Sequence, residues 1–211
     1  IGGDLVRSYL AGELKIPFVV NRHYFLPEFV DKNSLVVVSS YSGNTEETIA
    51  AHKDAVKRCA QVLCISSNGE TERIAKKYRH SFIKIPGGLP PRAPLGYSFF
   101  PILMCLVKLR FIKSRNNDIK ETISLLKRKS KVFSSLNYKQ NPALLLAQNL
   151  YGKIPIIYSS ADRFDSVNIR WRGQLSENAK VLAYGNTLPE MNHNELVGWK
   201  VLRKAMSGMV V

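Results

Sequence analysis

The sequence predicts an α/β protein built on parallel sheets, and two observations carry that prediction. Strand-like apolar runs alternate with helix-like stretches along most of the chain. Such alternation closes parallel sheets that helices cover on both faces. The joints between the elements are rich in small residues, above all Ser39-Ser-Tyr-Ser-Gly-Asn-Thr45. A strand that turns into a helix at residues of this kind is where open α/β sheets bind ligands, at the carboxyl ends of their strands.

In chain order, Ile16-Pro-Phe-Val-Val20 reads as a strand, and Leu35–Ser39 as a second. A helix is expected from about Glu46 to Cys59. Gln61–Ser66 is a strand, Ser67-Asn68-Gly69 a turn, and Thr71–Tyr78 a short helix. Ser81–Ile85 is another strand. The stiff stretch from Pro86 to Pro94 leads into an apolar helix from about Leu95 to Leu109. Asn141-Pro142 then breaks the chain, and Ala143–Tyr151 reads as a helix. Ile154–Tyr158 is a strand, a helix runs through Arg170–Asn178, Lys180–Tyr184 is a strand, and Leu196–Met206 looks helical. The second half resembles a diverged copy of the first, without a strict internal repeat. Two strands would make it very small for an α/β domain. The expected division is a first domain at 1–110 holding the serine-rich loop, a helical connection at 111–150, and a second domain at 151–211 that reads as unfinished.

At 211 residues the chain can form one large domain or two small ones, and its 45% hydrophobic content is ordinary. The formal net charge of +15 suits anionic partners. Over half of that excess lies between Lys108 and Lys139, where ten Lys and Arg face only Asp118 and Glu121. Ile119, Ile123, Leu126 and Phe133 give this segment the pattern of a helix with one buried stripe and a solvated basic face. A nucleic-acid patch is disfavoured, since no aromatic interleaving or binding motif accompanies the charge. Cys59, Cys64 and Cys105 fit no zinc spacing and read as reduced core thiols of a cytosolic protein. The longest apolar run, Phe99–Val107, is too short to cross a bilayer and holds Pro101. Ile1 is not a Met, so the sequence is expected to begin inside a longer protein.

The loop at Ser39–Thr45 sits before a helix start, which offers unpaired N–H groups and a positive dipole end to a phosphate. Ser40, Ser42 and Thr45 add hydroxyl donors, and Gly43 permits close backbone approach. The competing account is a turn and an N-cap and nothing more. No Lys and no GxxxxGK[ST] are present, which disfavours a nucleotide-hydrolysing P-loop. Ser-x-Ser-Gly-x-Thr after a strand resembles the phosphate loop of sugar isomerase (SIS) domains, which bind phosphosugars.

Three further residues are candidates. His193, in Pro189-Glu-Met-Asn-His-Asn-Glu-Leu196, can shuttle protons near neutral pH, against the alternative of a surface or capping histidine. Glu177 ends a probable helix before a strand and could act as a base if desolvated, against a solvated helix-end carboxylate. Arg92 follows two prolines and could steady an anion, against a surface arginine beside a hinge. His52 reads as solvated on the helix after the loop. Trp171 reads as core, flanked by solvated Arg170 and Arg172.

Four segments occur in one order: Ser39–Thr45, Gly87–Phe99, Arg170–Lys180 and Pro189–Trp199. Together they resemble the bifunctional phosphoglucose/phosphomannose isomerase family of archaea and some bacteria, over essentially the whole chain. The resemblance implies two SIS-type αβα sandwich subdomains with parallel sheets, joined by the basic helical connection. It implies a cytoplasmic aldose–ketose isomerase of glycolysis and gluconeogenesis, interconverting glucose 6-phosphate and mannose 6-phosphate with fructose 6-phosphate through an enediol. By the same resemblance Ser40, Ser42, Gly43, Asn44 and Thr45 bind the phosphate. Arg92 and Pro91 lie by the reacting carbons, Glu177 moves the proton between C1 and C2, and His193 opens the ring from the neighbouring subunit of a homodimer. No metal or other cofactor is implied, and neither nucleic acid nor membrane is an expected partner. The family also has a Gly-Gly-Ser loop before the stretch matching Ile1–Asp4 and a lysine after the stretch ending at Val211; neither occurs in this sequence. A non-catalytic SIS module that senses a phosphosugar is the alternative, although no helix-turn-helix is legible. A nucleic-acid-binding interaction protein is a third reading.

Overall fold

The computed structural model describes residues 1–211 apart from Pro91 and Leu202. It divides into two compact units, Ile1–Ile112 and Lys113–Val211.

The first unit holds α1 (Gly2–Leu10), β1 (Leu35–Ser39), α2 (Glu46–Lys57), β2 (Gln61–Ser66), α3 (Gly69–Tyr78), β3 (Ser81–Lys84) and α4 (Leu95–Lys108). The strands form a parallel sheet in the order β1-β2-β3, with Val37 opposite Leu63 and Cys64 opposite Phe82. The central strand β2 is buried from Val62 to Ser66, as a strand covered on both faces must be. Side chains alternate along it. Val62 and Cys64 enter a core with Val38, Ala55 and Ala75, while Leu63 and Ile65 turn to the other face. α2 packs on β1 and on α3, α3 packs on β2, and α1 packs on α4. Glu46 and Glu47 in the first turn of α2 and Lys57 in its last match the helix dipole. The long connection before β1 is pinned rather than loose. Leu26 and Val30 are buried in the same core. The Leu26 N–H donates to Asp54 at 2.9 Å, and Arg58 donates to the Leu26 and Pro27 carbonyls.

The second unit holds α5 (Asn116–Phe133), α6 (Pro142–Leu150), β4 (Ile154–Ser160), α7 (Asp165–Gln174), a π-helical turn at Leu175–Ala179, β5 (Tyr184–Leu188), three short helices α8 (Glu190–His193), α9 (Glu195–Gly198) and α10 (Arg203–Met206), and β6 (Met209–Val210). Its sheet is again parallel, in the order β5-β4-β6. Asn141 starts α6 by accepting from the N–H groups of Ala143 and Leu144, with Pro142 at the first helical position. Its amide donates to the Phe133 and Ser135 carbonyls, which closes the turn from α5. Buried Asn168 on α7 reaches the Ile157 and Asn186 carbonyls and so staples β4 to β5.

Several expectations are corrected. Residues 16–20 form no strand: Pro17 lacks the N–H that a ladder needs, and Val19 stands exposed. The expected strand at 180–184 lies at Tyr184–Leu188 instead, where pairing with β4 begins at Tyr184 opposite Ile156. A third strand, β6, adds to the two expected in the second unit; two residues are too short for a period-two pattern. The helix expected over 196–206 is broken into α9 and α10. The apolar stripe of α5 is not buried: Ile119 is half-covered, while Ile123, Leu126 and Phe133 are exposed, Leu126 by 58%.

Candidate functional site

The loop from Ser40 to Thr45 leaves the carboxyl end of β1 and enters α2. Its shape is set from inside. The Ser40 hydroxyl is buried, pairs with the Thr45 hydroxyl at 2.8 Å, and accepts from the Gly43 N–H. The Ser42 hydroxyl accepts from the Asn44 N–H. Gly43 has φ +70°, a conformation that only glycine takes without strain. The next strand-to-helix turn braces the loop from outside. Thr71 donates both its N–H and its hydroxyl to the Gly43 carbonyl, the Glu70 N–H donates to Asn44 Oδ1, and the Ser67 hydroxyl donates to the Tyr41 carbonyl at 2.6 Å.

This geometry has a consequence for the helix. Thr45 is the N-cap residue of α2, yet its hydroxyl makes no capping bond and is turned to Ser40. The first-turn N–H groups of α2 have no acceptor within the helix. A braced loop with exposed Ser42 and an uncapped helix start can hold an anion. Asn44 serves the bracing through its Oδ1. The acidic Glu46 and Glu47 flank the same turn.

Arg92 lies, exposed, on the connection between β3 and α4. That connection also starts at the carboxyl edge of the sheet. It is tied to the serine-rich loop where the Leu89 N–H donates to the Tyr41 hydroxyl at 2.9 Å. Pro91 lies outside the described residues.

Glu177 and His193 belong to the second unit. Glu177 sits in the π turn that ends α7, with its side chain exposed and its carbonyl accepting from Lys180 Nζ at 2.6 Å. π turns inside helices are rare and recur at functional sites. His193 ends α8, just after β5, and is exposed. A group that sequence reasoning passed over holds this stretch. Tyr158 on β4 donates to Glu195 at 2.8 Å and accepts from the Trp199 indole at 2.9 Å, while Asn186 on β5 donates to the same carboxylate. Burial, and then the Glu195 carboxylate, push the Tyr158 phenol above its ordinary range, so it stays a donor. Glu195 and Trp199 lay within the quoted 189–199 segment, but nothing local marks Tyr158 as their partner.

Other residues are not where composition put them. His52 is fully buried, not solvated, and contacts His80 and Cys64. Burial, and then His80, lower its pKa to about 4, and burial pushes the Cys64 thiol up to about 12. Cys59 is exposed, so it is no core thiol. Trp171 is 41% exposed, whereas the neighbouring Arg172 is half-buried, the reverse of the expected arrangement. A short helix tilts which face it covers, and single-residue identity does not report that.

Comparison with known proteins bears on both units. Residues 139–211 match the bacterial phospho-glucose isomerase C-terminal SIS domain. The chain is 43% identical over 199 residues to the bifunctional phosphoglucose/phosphomannose isomerase of Caldicellulosiruptor bescii, covering 94% of this chain and 59% of that protein. It is 40% identical over 199 residues to the protein of the same name from Thermoplasma acidophilum, covering 92% of this chain and 59% of that one. The chain thus spans about three-fifths of the length of these relatives. In structure it is similar to the C-terminal domain of glucosamine-fructose-6-phosphate aminotransferase from Francisella tularensis, with a TM-score of 0.66 and 16% identity over 98% of this chain and 64% of that one. That likeness speaks to the fold alone. No described helix is long and apolar enough to cross a membrane. These identities run across both units, and the chain is similar over most of its length to the bifunctional phosphoglucose/phosphomannose isomerases.

Proposed function

We propose that the protein is an aldose–ketose isomerase that interconverts glucose 6-phosphate and mannose 6-phosphate with fructose 6-phosphate. The observation that carries this reading is the serine-rich loop: a braced turn at a strand's carboxyl end that leaves the start of α2 uncapped. The names of the relatives at 43% and 40% identity supply the substrate class.

In this reading the phosphate rests on the Ser42 hydroxyl, the Thr45 hydroxyl and the first-turn N–H groups of α2, with Ser40, Gly43 and Asn44 shaping the loop. His193 assists opening of the pyranose ring by exchanging a proton with the ring oxygen, and it comes from the neighbouring subunit of a homodimer. Glu177 takes the C2 proton of the open aldose while the C1 carbonyl oxygen gains one, which gives the enediol. Return of a proton to C1 and loss of one from the C2 hydroxyl give the ketose. Arg92, on the connection tethered to Tyr41, steadies the negative charge that develops on the enediol oxygens. Such positioned proton transfer is typically worth about 10²- to 10⁴-fold.

The test is Glu177→Gln, assayed for turnover of all three sugar phosphates and for their binding by calorimetry. The expected result is loss of turnover of at least about 10²-fold with binding nearly intact, since ground-state affinity rests mostly on the phosphate. Turnover within about tenfold of the unaltered protein removes Glu177 as the base. Binding without turnover in the unaltered protein favours the non-catalytic phosphosugar-sensing module instead.

A further inference from the structure

The first unit contains a cluster that neither the phosphate loop nor the proposed proton transfers use. His52 on α2, Cys64 on β2 and His80 in the turn between α3 and β3 bring one nitrogen or sulfur each within 4.8 Å of one another. They lie on a helix, a strand and a turn that follow one another along the chain, and the packing of α2 and α3 on the sheet assembles them. His52 and Cys64 have no solvent exposure, and His80 is half-buried.

The contacts converge on a single atom. His52 Nε2 lies 3.0 Å from His80 Nδ1 and 3.6 Å from Cys64 Sγ. An sp² ring nitrogen has one in-plane position: it carries one hydrogen or one lone pair, not both. It can therefore make one good hydrogen bond, and two neighbours compete for it. His52 Nδ1 is buried without a partner, so the polar anchoring of this ring rests on Nε2. A protein that buries three soft donors in this way leaves the arrangement under-satisfied.

A metal ion would engage all three donor atoms at once; the nitrogen–sulfur spacing suits one, and the nitrogen–nitrogen pair would open by about 0.4 Å. Tetrahedral zinc with bonds of about 2.0–2.1 Å to nitrogen and about 2.3 Å to sulfur sets its nitrogen ligands about 3.4 Å apart and a nitrogen and a sulfur ligand about 3.6 Å apart. The N···S distance here is 3.6 Å and the N···N distance 3.0 Å. Two imidazoles and a thiolate form a set that prefers Zn²⁺ and Cu⁺ over hard cations. Among the described residues no Asp or Glu joins the three donors.

We infer that His52, Cys64 and His80 form a binding site for a soft cation of the Zn²⁺ class. Three protein ligands fill three positions, and a water on the half-exposed His80 side fills the fourth. Binding releases the thiol proton: Cys64–SH and the hydrated cation give a sulfur–metal bond and one free proton. The site is structural. It ties the helix that follows the phosphate loop to the central strand and to the α3–β3 turn. It does not depend on the reading of the isomerase residues.

The test begins with chelator-treated full chain. Equilibrium dialysis against Zn²⁺ should load about one ion per chain, release one proton and raise the melting temperature. Co²⁺ in its place should show sulfur-to-cobalt charge-transfer absorption. His80→Gln, at the half-exposed position, should fold and bind Zn²⁺ at least tenfold more weakly. Cys64→Ser should lose the charge-transfer band; if that variant fails to fold, the band in the unaltered protein and the weakening in His80→Gln decide. The inference is overturned by substoichiometric Zn²⁺, by Co²⁺ bound without a thiolate band, or by His80→Gln binding as tightly as the unaltered chain.

Discussion

Replacing Gly43 by alanine isolates how much of the serine-rich loop is fixed by one backbone approach. At φ +70° an L-residue costs about 1–2 kcal/mol. The added Cβ would also fall onto the Asn68 carbonyl oxygen, 2.7 Å from Ser66 Oγ and 2.8 Å from the Asn68 carbonyl carbon. Two of those atoms are backbone and cannot swing aside, so overpacking adds typically about 1–3 kcal/mol. The total is about 2–5 kcal/mol. Gly88 is the control, because it has φ +86° but nothing within 4 Å of its would-be Cβ. Gly88→Ala then carries the conformational term alone, about 1–2 kcal/mol. For a unit of this size, 1 kcal/mol moves the melting temperature by roughly 4 °C. Gly43→Ala should melt roughly 8–20 °C lower and Gly88→Ala roughly 4–8 °C lower. Near-ultraviolet circular dichroism follows the melting, and calorimetry with glucose 6-phosphate follows the site. Gly43→Ala should also bind the sugar phosphate far more weakly, while Gly88→Ala binds it as before. If the two variants melt at the same temperature and bind alike, the loop is not braced by this approach and the account of its rigidity is wrong.

Three further outcomes are expected. Ser42→Ala should raise KM for hexose phosphates about tenfold and lower kcat less, since a phosphate contact acts in ground and transition states alike; an unchanged KM would reduce Ser42 to a turn residue. Asp54 accepts from the Leu26 N–H and from Arg58, in that order of effect, and both hold its carboxyl below the ordinary value of 3.8. The unfolded chain therefore takes up the proton first, so this stability is present above about pH 4 and is lost as pH falls through the lower folded value. Asp54→Asn should cost about 1–2 kcal/mol at neutral pH and flatten acid unfolding below about pH 4, and an unchanged acid limb in urea titrations would refute the role. If His193 serves the partner subunit, mixing inactive His193→Ala with inactive Glu177→Gln chains should restore part of the activity, because one site of each heterodimer carries neither lesion; verified heterodimers without activity would place both residues in one chain's site.

How much of this was legible in the sequence depended on whether the signal was local. β1, β2 and α2 were readable because a Val-rich run, a serine-rich joint and a polar helix start follow one another without interruption. The serine-rich loop was readable for the same reason, down to the glycine that takes a positive φ. Ile16–Val20 failed because Pro17 outweighs the apolar composition around it. β5 failed by several residues because Lys180–Ala183 stay outside any ladder and pairing with β4 begins only at Tyr184. The stripe of α5 shows a different limit. Its period is helical, and the helix is there, but periodicity says which residues share a face and not whether anything covers that face.

The His52 cluster lies beyond that limit altogether. His52 lies twelve positions before Cys64 and twenty-eight before His80. No spacing rule for metal ligands links positions on a helix, a strand and a turn. The expectation that His52 was solvated followed from its place on the helix after the loop, where the next residue, Lys53, does face outward. One position earlier on the helix the direction reverses, and the imidazole points at the strand beneath. Cys64 was correctly placed in the core as a small hydrophobe, but that reading treats the thiol as inert. What makes it more than that is a second and a third donor delivered by other elements. Tertiary packing alone carries that information, and the three residues look ordinary in the sequence. The sites most worth testing in this protein are accordingly of two kinds: a loop whose chemistry is written in seven consecutive residues, and a buried cluster whose chemistry exists only once α2, β2 and the turn before β3 have closed on one another.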